Sequence, residues 1–286
     1  MKIAITGAAG FIGSTLYQYL QGKAEVLGLV RENESDVLPV TDYSIAHLTE
    51  MFQGIDCVIH LASKRGAGHS YIEYTENDIL LENILKAMIA AGVPRIIFMS
   101  SLAVYSECNA LPWKEDQLPI PQTFYGLSKL TGENMCRYYA QKGIKYLIFR
   151  CAIVFGGNDQ TRMVGNFIRT AANHGTIEVR GKSVAKRDFI YVKEVIRALA
   201  WGALDCPVEN TVLNLSSGEY HTNYEVAEAV NKAFDNANNL VYRSDIDEEL
   251  NDSYMESSAI RAAGYVHQYS LQSAMLDVAN EMETNY

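Results

Sequence analysis

Three glycines spaced three residues apart constrain the fold of this chain more than any other feature. The segment Gly7-Ala-Ala-Gly10-Phe-Ile-Gly13 follows the short apolar run Lys2–Thr6 and opens a helix-like stretch. Glycines permit a tight strand-to-helix turn and let the backbone approach a pyrophosphate, which the amino end of a helix attracts. This context predicts a dinucleotide-binding loop, with a tight turn that binds nothing as the alternative.

The first half of the chain alternates short apolar runs with helical periodicity. Leu81, Ile84, Leu85 and Met88 recur at three- and four-residue steps within the predicted helix Asp78–Ala91. The predicted strands are Lys2–Thr6, Glu25–Val30, Cys57–Leu61, Arg95–Met99 and Tyr146–Phe149. Strands with continuous apolar runs, each followed by a helix, indicate a parallel sheet covered on both faces. The predicted fold class is a doubly wound α/β (Rossmann) fold.

The regular alternation of predicted strands and helices changes after about Gly156, where shorter elements follow without a Pro/Gly/Ser linker. We therefore expect a dinucleotide-binding domain over residues 1–155, with a return segment near 187–217. Residues 156–286 are predicted to form mainly a smaller substrate-binding subdomain. The tail from Arg243 is predicted to be irregular and then helical from about Leu271.

Composition excludes several classes of protein. The 286 residues carry a net charge of −10, which argues against a general nucleic-acid binder. No apolar run approaches the roughly 20 residues of a membrane span. The five cysteines are scattered and the six histidines show no metal-ligand spacing, so we expect reduced thiols, no metal site and a cytoplasmic location.

A tyrosine and a lysine one helical turn apart are the strongest chemical signal. In Tyr125-Gly-Leu-Ser-Lys129 the two side chains share one face of a predicted helix. A phenol with a pKa near ~10 is a poor base at neutral pH, and a nearby ammonium favours phenolate. The spacing predicts that Tyr125 acts as a base assisted by Lys129, with a half-buried helix-start aromatic as the alternative.

These segments together resemble the extended short-chain dehydrogenase/reductase family, which contains the nucleotide-sugar epimerases and dehydratases. Val58-Ile-His-Leu-Ala-Ser63 is similar to the third-strand signature of that family, and Asn77 matches its structural asparagine. The resemblance covers nearly the whole chain. The cofactor-binding residues that it implies are Gly7, Gly10, Phe11, Ile12, Gly13, Arg31, Asp42, Tyr43, Leu61, Ala62, Ser63, Asn77, Ser100, Tyr125 and Lys129.

The fourth-strand segment Phe98–Tyr105 resembles the family motif that carries the catalytic hydroxyl. The match places that hydroxyl at Ser101, so the implied catalytic set is Ser101, Tyr125 and Lys129. Family dehydratases carry an Asp–Glu pair immediately after the hydroxyl, because elimination of water needs a further acid and base. Leu102 and Ala103 stand there in this chain and cannot transfer protons, which argues against a dehydratase.

The substrate side is also implied by the resemblance. Lys186-Arg-Asp-Phe-Ile-Tyr-Val192 resembles the segment whose arginine pairs with the nucleotide diphosphate, which is Arg187 here. Ser101, Arg162 and Asn166 complete the predicted substrate contacts. Ile153 replaces an asparagine that often contacts substrate, and Arg243 is a poor match to the arginine expected before the tail.

The identity of the dinucleotide stays open between NAD and NADP. Where NAD-binding members carry an acidic residue after the second strand, this chain has Arg31. A guanidinium there either pairs with a 2′-phosphate, which favours NADP, or stacks on adenine without discriminating. Glu32, one residue later, keeps NAD possible.

Three functions fit these observations. The first is a nucleotide-sugar 4-epimerase acting on a substrate such as UDP-glucose or UDP-N-acetylglucosamine. The second is an NADPH-dependent nucleotide-sugar 4-ketoreductase, which Arg31 favours. The third is a dinucleotide-sensing protein without turnover, against which the complete Ser101, Tyr125 and Lys129 set argues. A homodimer through the helices near Asp78–Ala91 and Gly126–Lys142 is implied by the resemblance alone.

Overall fold

The architecture comes from a computed structural model that describes residues 1–31, 37–65, 68–156, 162–247 and 250–284. Twenty regular strands and helices lie in these ranges. In chain order they are β1 Lys2–Thr6, α1 Phe11–Leu20, β2 Glu25–Leu29, α2 Ile45–Met51, β3 Cys57–His60, α3 Thr75–Ala91, β4 Arg95–Ser101, α4 Phe124–Ala140, β5 Lys145–Cys151, β6 Ile153–Phe155, α5 Met163–Ala172, β7 Ile177–Arg180, β8 Arg187–Tyr191, α6 Val192–Leu204, β9 Thr211–Leu215, β10 Tyr220–His221, α7 Asn223–Ala233, β11 Leu240–Arg243, α8 Ser258–Ala262 and α9 Leu271–Thr284.

A six-stranded parallel sheet organises the chain. Its order is β2-β1-β3-β4-β5-β9, with the strand order reversing between β1 and β3. The central strands are buried along almost their whole length, as β3 is at all four positions, because helices cover both faces. The predicted doubly wound α/β fold is confirmed.

Two layers of helices bury the faces of this sheet. On one face α2, α3 and α4 pack on an apolar cluster that includes Leu81, Ile84, Leu85 and Met88, as their spacing predicts. On the other face α1 packs beside α6. Gly92 ends α3 in the left-handed conformation, with φ of 76°, which a glycine adopts without strain.

The remaining strands form two small sheets. The three-stranded sheet has the order β10-β8-β6, and β11 pairs in parallel with β7. The capping box predicted at Thr222 and Glu225 begins α7. Strand β9 joins the large sheet beside β5, whereas β8 does not. The division of the chain at residue 155 into two functional domains stays a prediction.

The tail is more regular than its sequence predicts. β11 ends at Arg243 and α8 spans five residues inside the stretch predicted to be irregular. Neither has a sustained apolar period. β11 forms because its backbone pairs with β7 and because Tyr242 stacks on Tyr224, with ring centres 5.2 Å apart. Both interactions join residues distant in sequence.

Candidate active site

The glycine loop forms a cradle of bare backbone between β1 and α1. Gly7 has φ of +72°, and a Cβ there would lie 2.8 Å from the backbone nitrogen of Ala62. A Cβ on Gly13 would lie 2.1 Å from the Gly7 carbonyl oxygen. Helix α1 begins after Gly10 and carries no acidic residue in its first turn. Its positive end is therefore available to an anion, and the cradle fits a dinucleotide pyrophosphate.

The loop after β3 closes one side of this cradle. The Thr6 hydroxyl accepts from two backbone amides of residues 61–63, at 3.3 and 3.4 Å. Asn77 accepts from the backbone nitrogen of Lys64 at 2.7 Å and donates to its carbonyl at 3.1 Å. The Asn77 amide is thus committed to the loop, so we assign it to positioning the loop rather than to direct contact with a cofactor.

A second cavity, of about 490 Å³, lies beyond the end of β2. Its lining residues are Arg31, Val40, Thr41, Asp42, Tyr43, Glu76, Ile79, Leu80 and Asn83. Three residues predicted to contact the cofactor therefore lie around one space: Arg31, Asp42 and Tyr43. The alternative acidic residue, Glu32, lies outside the described residues.

Asp42 and Tyr43 each make a side-chain hydrogen bond within the protein. Asp42 accepts from the Ser44 backbone nitrogen at 2.8 Å, and this bond holds the pKa of the Asp42 carboxyl below its ordinary value. The buried Tyr43 hydroxyl donates to the Leu29 carbonyl at 3.2 Å. Tyr43 therefore presents its backbone, rather than its hydroxyl, to this cavity.

The predicted catalytic residues come together at the end of β4 and the start of α4. Thr123 caps α4 by accepting from the Gly126 nitrogen at 3.0 Å, which places Tyr125 in the first turn. The Ser101 hydroxyl, which accepts from the Ala103 nitrogen at 3.2 Å, lies close enough to the Tyr125 phenol to lower the pKa of that phenol. One turn later the buried Lys129 ammonium donates to the Met99 carbonyl at 3.0 Å, with its nitrogen 5.7 Å from the Tyr125 ring centre.

The electrostatics of this set differ from the sequence-based expectation. Burial raises the pKa of Tyr125, and the cation that most opposes this rise is Arg65 rather than Lys129. Burial, and then Arg65, lower the pKa of Lys129 to about 7. Burial outweighs the neighbouring cations at both groups, and Arg65 is a second cation beside the pair, so the assistance of the phenol by Lys129 stays a prediction.

Arg65 is a site residue that the sequence reasoning missed. Its guanidinium carbon lies 5.8 Å from the centre of the Tyr125 ring. Lys64 and Arg65 form a basic pair in the loop after β3, but the sequence does not show that this loop lies beside Tyr125.

Ser100 differs in orientation from Ser101. Its hydroxyl donates to the buried Glu133 carboxylate at 2.7 Å, and its side chain is 2% exposed. The side chain thus points into the core between β4 and α4. Any contact of Ser100 with a cofactor is limited to its backbone.

A cavity of about 780 Å³ lies among β6, α5, β7 and β8. All three residues predicted on the substrate side alone, Arg162, Asn166 and Arg187, line it. The full lining is Ile153, Val154, Phe155, Arg162, Met163, Val164, Gly165, Asn166, Phe167, Thr170, Thr176, Ile177, Glu178, Val179, Arg180, Arg187, Phe189, Asn223 and Asp247. Arg180, Asn223 and Asp247 were not predicted, because residues on separate elements share no sequence pattern.

Arg162 connects this cavity with the glycine loop. Its guanidinium carbon lies 5.6 Å from the centre of the Phe11 ring, at the start of α1. Arg187 donates to the Ser253 hydroxyl at 3.2 Å, and the Asn166 amide oxygen accepts from Arg169 at 2.7 Å. Arg243 instead pairs with Glu178 at 2.7 Å and with Asp245, and it does not line the cavity.

The described ranges contain neither a membrane-spanning helix nor a metal-binding cluster. In the described part of the chain, no helix is both long enough and apolar enough to span a bilayer. Those same residues contain no group of three His, Cys, Asp or Glu side chains able to hold a metal ion. All five cysteines are free thiols.

Comparison with known proteins identifies the family. Residues 3–215 match the family described as NAD dependent epimerase/dehydratase. The crystal structure of UDP-N-acetylglucosamine 4-epimerase from Bacillus cereus is similar over 99% of this chain and 96% of that one, with 31% identity and a TM-score of 0.91. A putative UDP-glucose 4-epimerase from Methanocaldococcus jannaschii is 26% identical over 99% of both chains. A UDP-glucose 4-epimerase from Lacticaseibacillus casei is 27% identical over 81% of both. This chain belongs to the NAD dependent epimerase/dehydratase family and is an NAD-dependent enzyme of that family.

Proposed function

We propose that this enzyme is a nucleotide-sugar 4-epimerase of the type that interconverts UDP-glucose or UDP-N-acetylglucosamine with its C4 epimer. The observation that carries the proposal is the convergence of Ser101, at the carboxyl end of β4, with Tyr125 and Lys129, one turn apart at the start of α4. The relatives described above are named as 4-epimerases of these two sugars.

The nucleotide diphosphate is assigned to the 780 Å³ cavity. Arg162, Arg180 and Arg187 supply positive charge there, in a protein whose net charge is −10. Guanidinium groups suit phosphate because they donate paired hydrogen bonds in a fixed plane. The contact of Arg162 with Phe11 supports an orientation of such a ligand with its sugar end toward the glycine loop.

The reacting group is the sugar C4 hydroxyl. Tyr125 removes the hydroxyl proton, and Ser101 donates a hydrogen bond to the same oxygen and holds it in place. When bound, NAD supplies the acceptor for the C4 hydride and its return. Tyr125 gives the proton back as the configuration at C4 inverts, so the reaction has no net oxidation. Lys129, held by the Met99 carbonyl, lies where it can bind the nicotinamide ribose.

Two neighbouring reactions fit the site less well. Leu102 and Ala103 follow Ser101 and offer no acid or base for the elimination of water. A 4-ketoreductase is the second candidate, because Arg31 lines the cavity at the end of β2 where a 2′-phosphate would bind. Purified epimerase should convert UDP-sugar without added cofactor, whereas a reductase should consume NADPH stoichiometrically.

The decisive variant is Tyr125→Phe, which keeps the ring and removes the proton acceptor. We expect turnover to fall by several orders of magnitude while the protein stays folded and binds NAD. Tyr138→Phe is the matched control, because Tyr138 is an exposed tyrosine on the same helix. A Tyr125→Phe enzyme with near-normal turnover would remove this residue from its assigned role.

A homodimer and a cytoplasmic location are also proposed. Exposed apolar residues on α3 and α4, including Ile79, Ile89 and Leu127, support a homodimer through these two helices. Sedimentation velocity tests this assembly. A cytoplasmic location is proposed because the five thiols are free.

A further inference from the structure

A buried carboxylate lies on the same face of α4 as the two residues assigned to catalysis. Glu133 is one turn after Lys129 and two turns after Tyr125, and it is 0% exposed. The reaction proposed above uses no such group. A fully buried carboxylate needs partners that satisfy both oxygens, so its contacts show what it holds in place.

Four hydrogen bonds satisfy this carboxylate. One oxygen accepts from the Ser100 hydroxyl at 2.7 Å and from Nε of Arg150 at 3.0 Å. The other accepts from Nη2 of Arg150 at 2.9 Å and from Arg137 at 3.0 Å. Burial raises the pKa of Glu133, but the Arg150 guanidinium outweighs it and holds the pKa below its ordinary value. Glu133 is therefore an anion with no unused acceptor direction.

These partners fasten α4 to two adjacent strands. Ser100 on β4 and Arg150 on β5 are register partners, and Ser100 directly precedes Ser101. Arg150 continues the connection, because its Nη1 donates to the Tyr105 hydroxyl at 2.7 Å beyond the short 3₁₀ turn Leu102–Val104. The segment that carries Ser101 is thus held at both ends.

Packing alone does not determine how α4 lies along β4. A Cβ on Gly132 would lie 2.4 Å from the Phe98 ring, and one on Gly126 would lie 2.0 Å from the Ala103 carbonyl. These close approaches set the separation of helix and strand. Glu133 adds directional bonds, which resist sliding and rotation of α4 relative to β4.

We propose that Glu133 is a positioning residue that sets the distance between the Ser101 hydroxyl and the Tyr125 phenol by binding Ser100 and Arg150. The proposal rests on the roles assigned to Ser101 and Tyr125 above. Displacement of reacting groups by about 1 Å costs on the order of 10²-fold in rate. A change at Glu133 should therefore lower turnover although it touches neither substrate nor cofactor.

The test compares two buried carboxylates. Glu133→Gln keeps the shape of the side chain but replaces one acceptor oxygen with an amide donor that faces Arg150. We expect kcat to fall about 10- to 100-fold, while KM stays within about 2-fold of the unaltered value. Glu194→Gln is the matched control, since Glu194 lies on α6, is 1% exposed and accepts from the Tyr269 nitrogen at 2.9 Å rather than from a residue of β4 or β5. Similar losses of stability with a fall in kcat only for Glu133→Gln support the proposal.

A milder variant keeps the proposal testable if Glu133→Gln does not fold. Ser100→Ala removes one of the four bonds and leaves the Glu133–Arg150 pair intact, so kcat should fall by a smaller factor of about 3 to 10. Unchanged kcat in a folded Glu133→Gln or Ser100→Ala enzyme overturns the proposal. So does an equal fall in kcat for Glu194→Gln at equal loss of stability.

A measurement made without substrate tests the positioning role of Glu133 independently of the proposed function. The ring-carbon NMR resonance of isotopically labelled Tyr125, identified by its loss in Tyr125→Phe, should move in Glu133→Gln and stay in Glu194→Gln. If the unaltered enzyme converts no nucleotide-sugar, the proposed function fails but this comparison still decides the positioning role. A resonance that stays in place in both variants refutes it.

Discussion

Lys129 should destabilise the ligand-free protein at neutral pH, and Lys129→Met should therefore be more stable than the unaltered chain. Lys129 is 7% exposed, and burial together with Arg65 lowers its pKa from 10.5 to about 7. At about 1.4 kcal/mol per pH unit, this difference corresponds to a cost of about 5 kcal/mol when the ammonium is fully charged. Loss of the hydrogen bond to Met99 offsets about 2 kcal/mol of that gain.

The sign of the pH dependence follows from proton binding. The folded pKa is lower than the unfolded one, so between pH 7 and 10.5 the unfolded chain binds the proton and the folded chain does not. The cost is full below about pH 7 and disappears above about 10.5. The unaltered protein should therefore gain about 2 kcal/mol relative to Lys129→Met between about pH 7 and 9.

Urea denaturation at three pH values measures this difference. The expected result is a Lys129→Met chain that is more stable at pH 6, with an advantage that shrinks as the pH rises. Lys86→Met is the control, because Lys86 is an exposed residue on α3. A stability difference that stays constant with pH, or a variant that is less stable at pH 6, would refute the reasoning. Turnover should be lost in Lys129→Met in either case.

Two further predictions concern cofactor binding. Arg31→Asp should shift relative affinity from NADP toward NAD, because it replaces a cation at the cavity where a 2′-phosphate would bind. Calorimetric titrations with both dinucleotides measure this shift. Unchanged relative affinities would show that Arg31 does not discriminate between NAD and NADP. Gly13→Ala should weaken dinucleotide binding by more than about 10-fold, because its Cβ would collide with the Gly7 carbonyl and displace the loop. Gly22→Ala is the control, with a strained φ of +77° but open space around the new methyl group, so it should lower stability and leave dinucleotide affinity unchanged.

Much of the large sheet could be predicted from local pattern. β1 and the predicted Lys2–Thr6 coincide, and Asp78–Ala91 lies within α3, because long apolar runs and sustained periodicity report burial directly. α2 was missed, since seven residues hold too few apolar positions to show a period. β10 and β11 were missed because short strands form by pairing with distant partners.

The residues of the candidate site likewise include some that local sequence pattern predicts and some that it does not. The glycine loop and the Tyr125–Lys129 pair could be predicted because each is a contiguous segment whose spacing has a geometric meaning. Arg65, Arg180 and the carboxylate of Glu133 could not, because their roles depend on which other elements lie beside them.

The amino-acid sequence by itself determined the doubly wound fold, the glycine turn and the order of serine, tyrosine and lysine along the chain. Only the tertiary structure decided that a second cation, Arg65 from the loop after β3, lies beside Tyr125: its guanidinium carbon is 5.8 Å from the ring centre, and the Lys129 nitrogen is 5.7 Å away. The physical reason is that desolvation and Coulomb interactions depend on distance in space. Spacing along one helix states which side chains share a face but not what is packed against them.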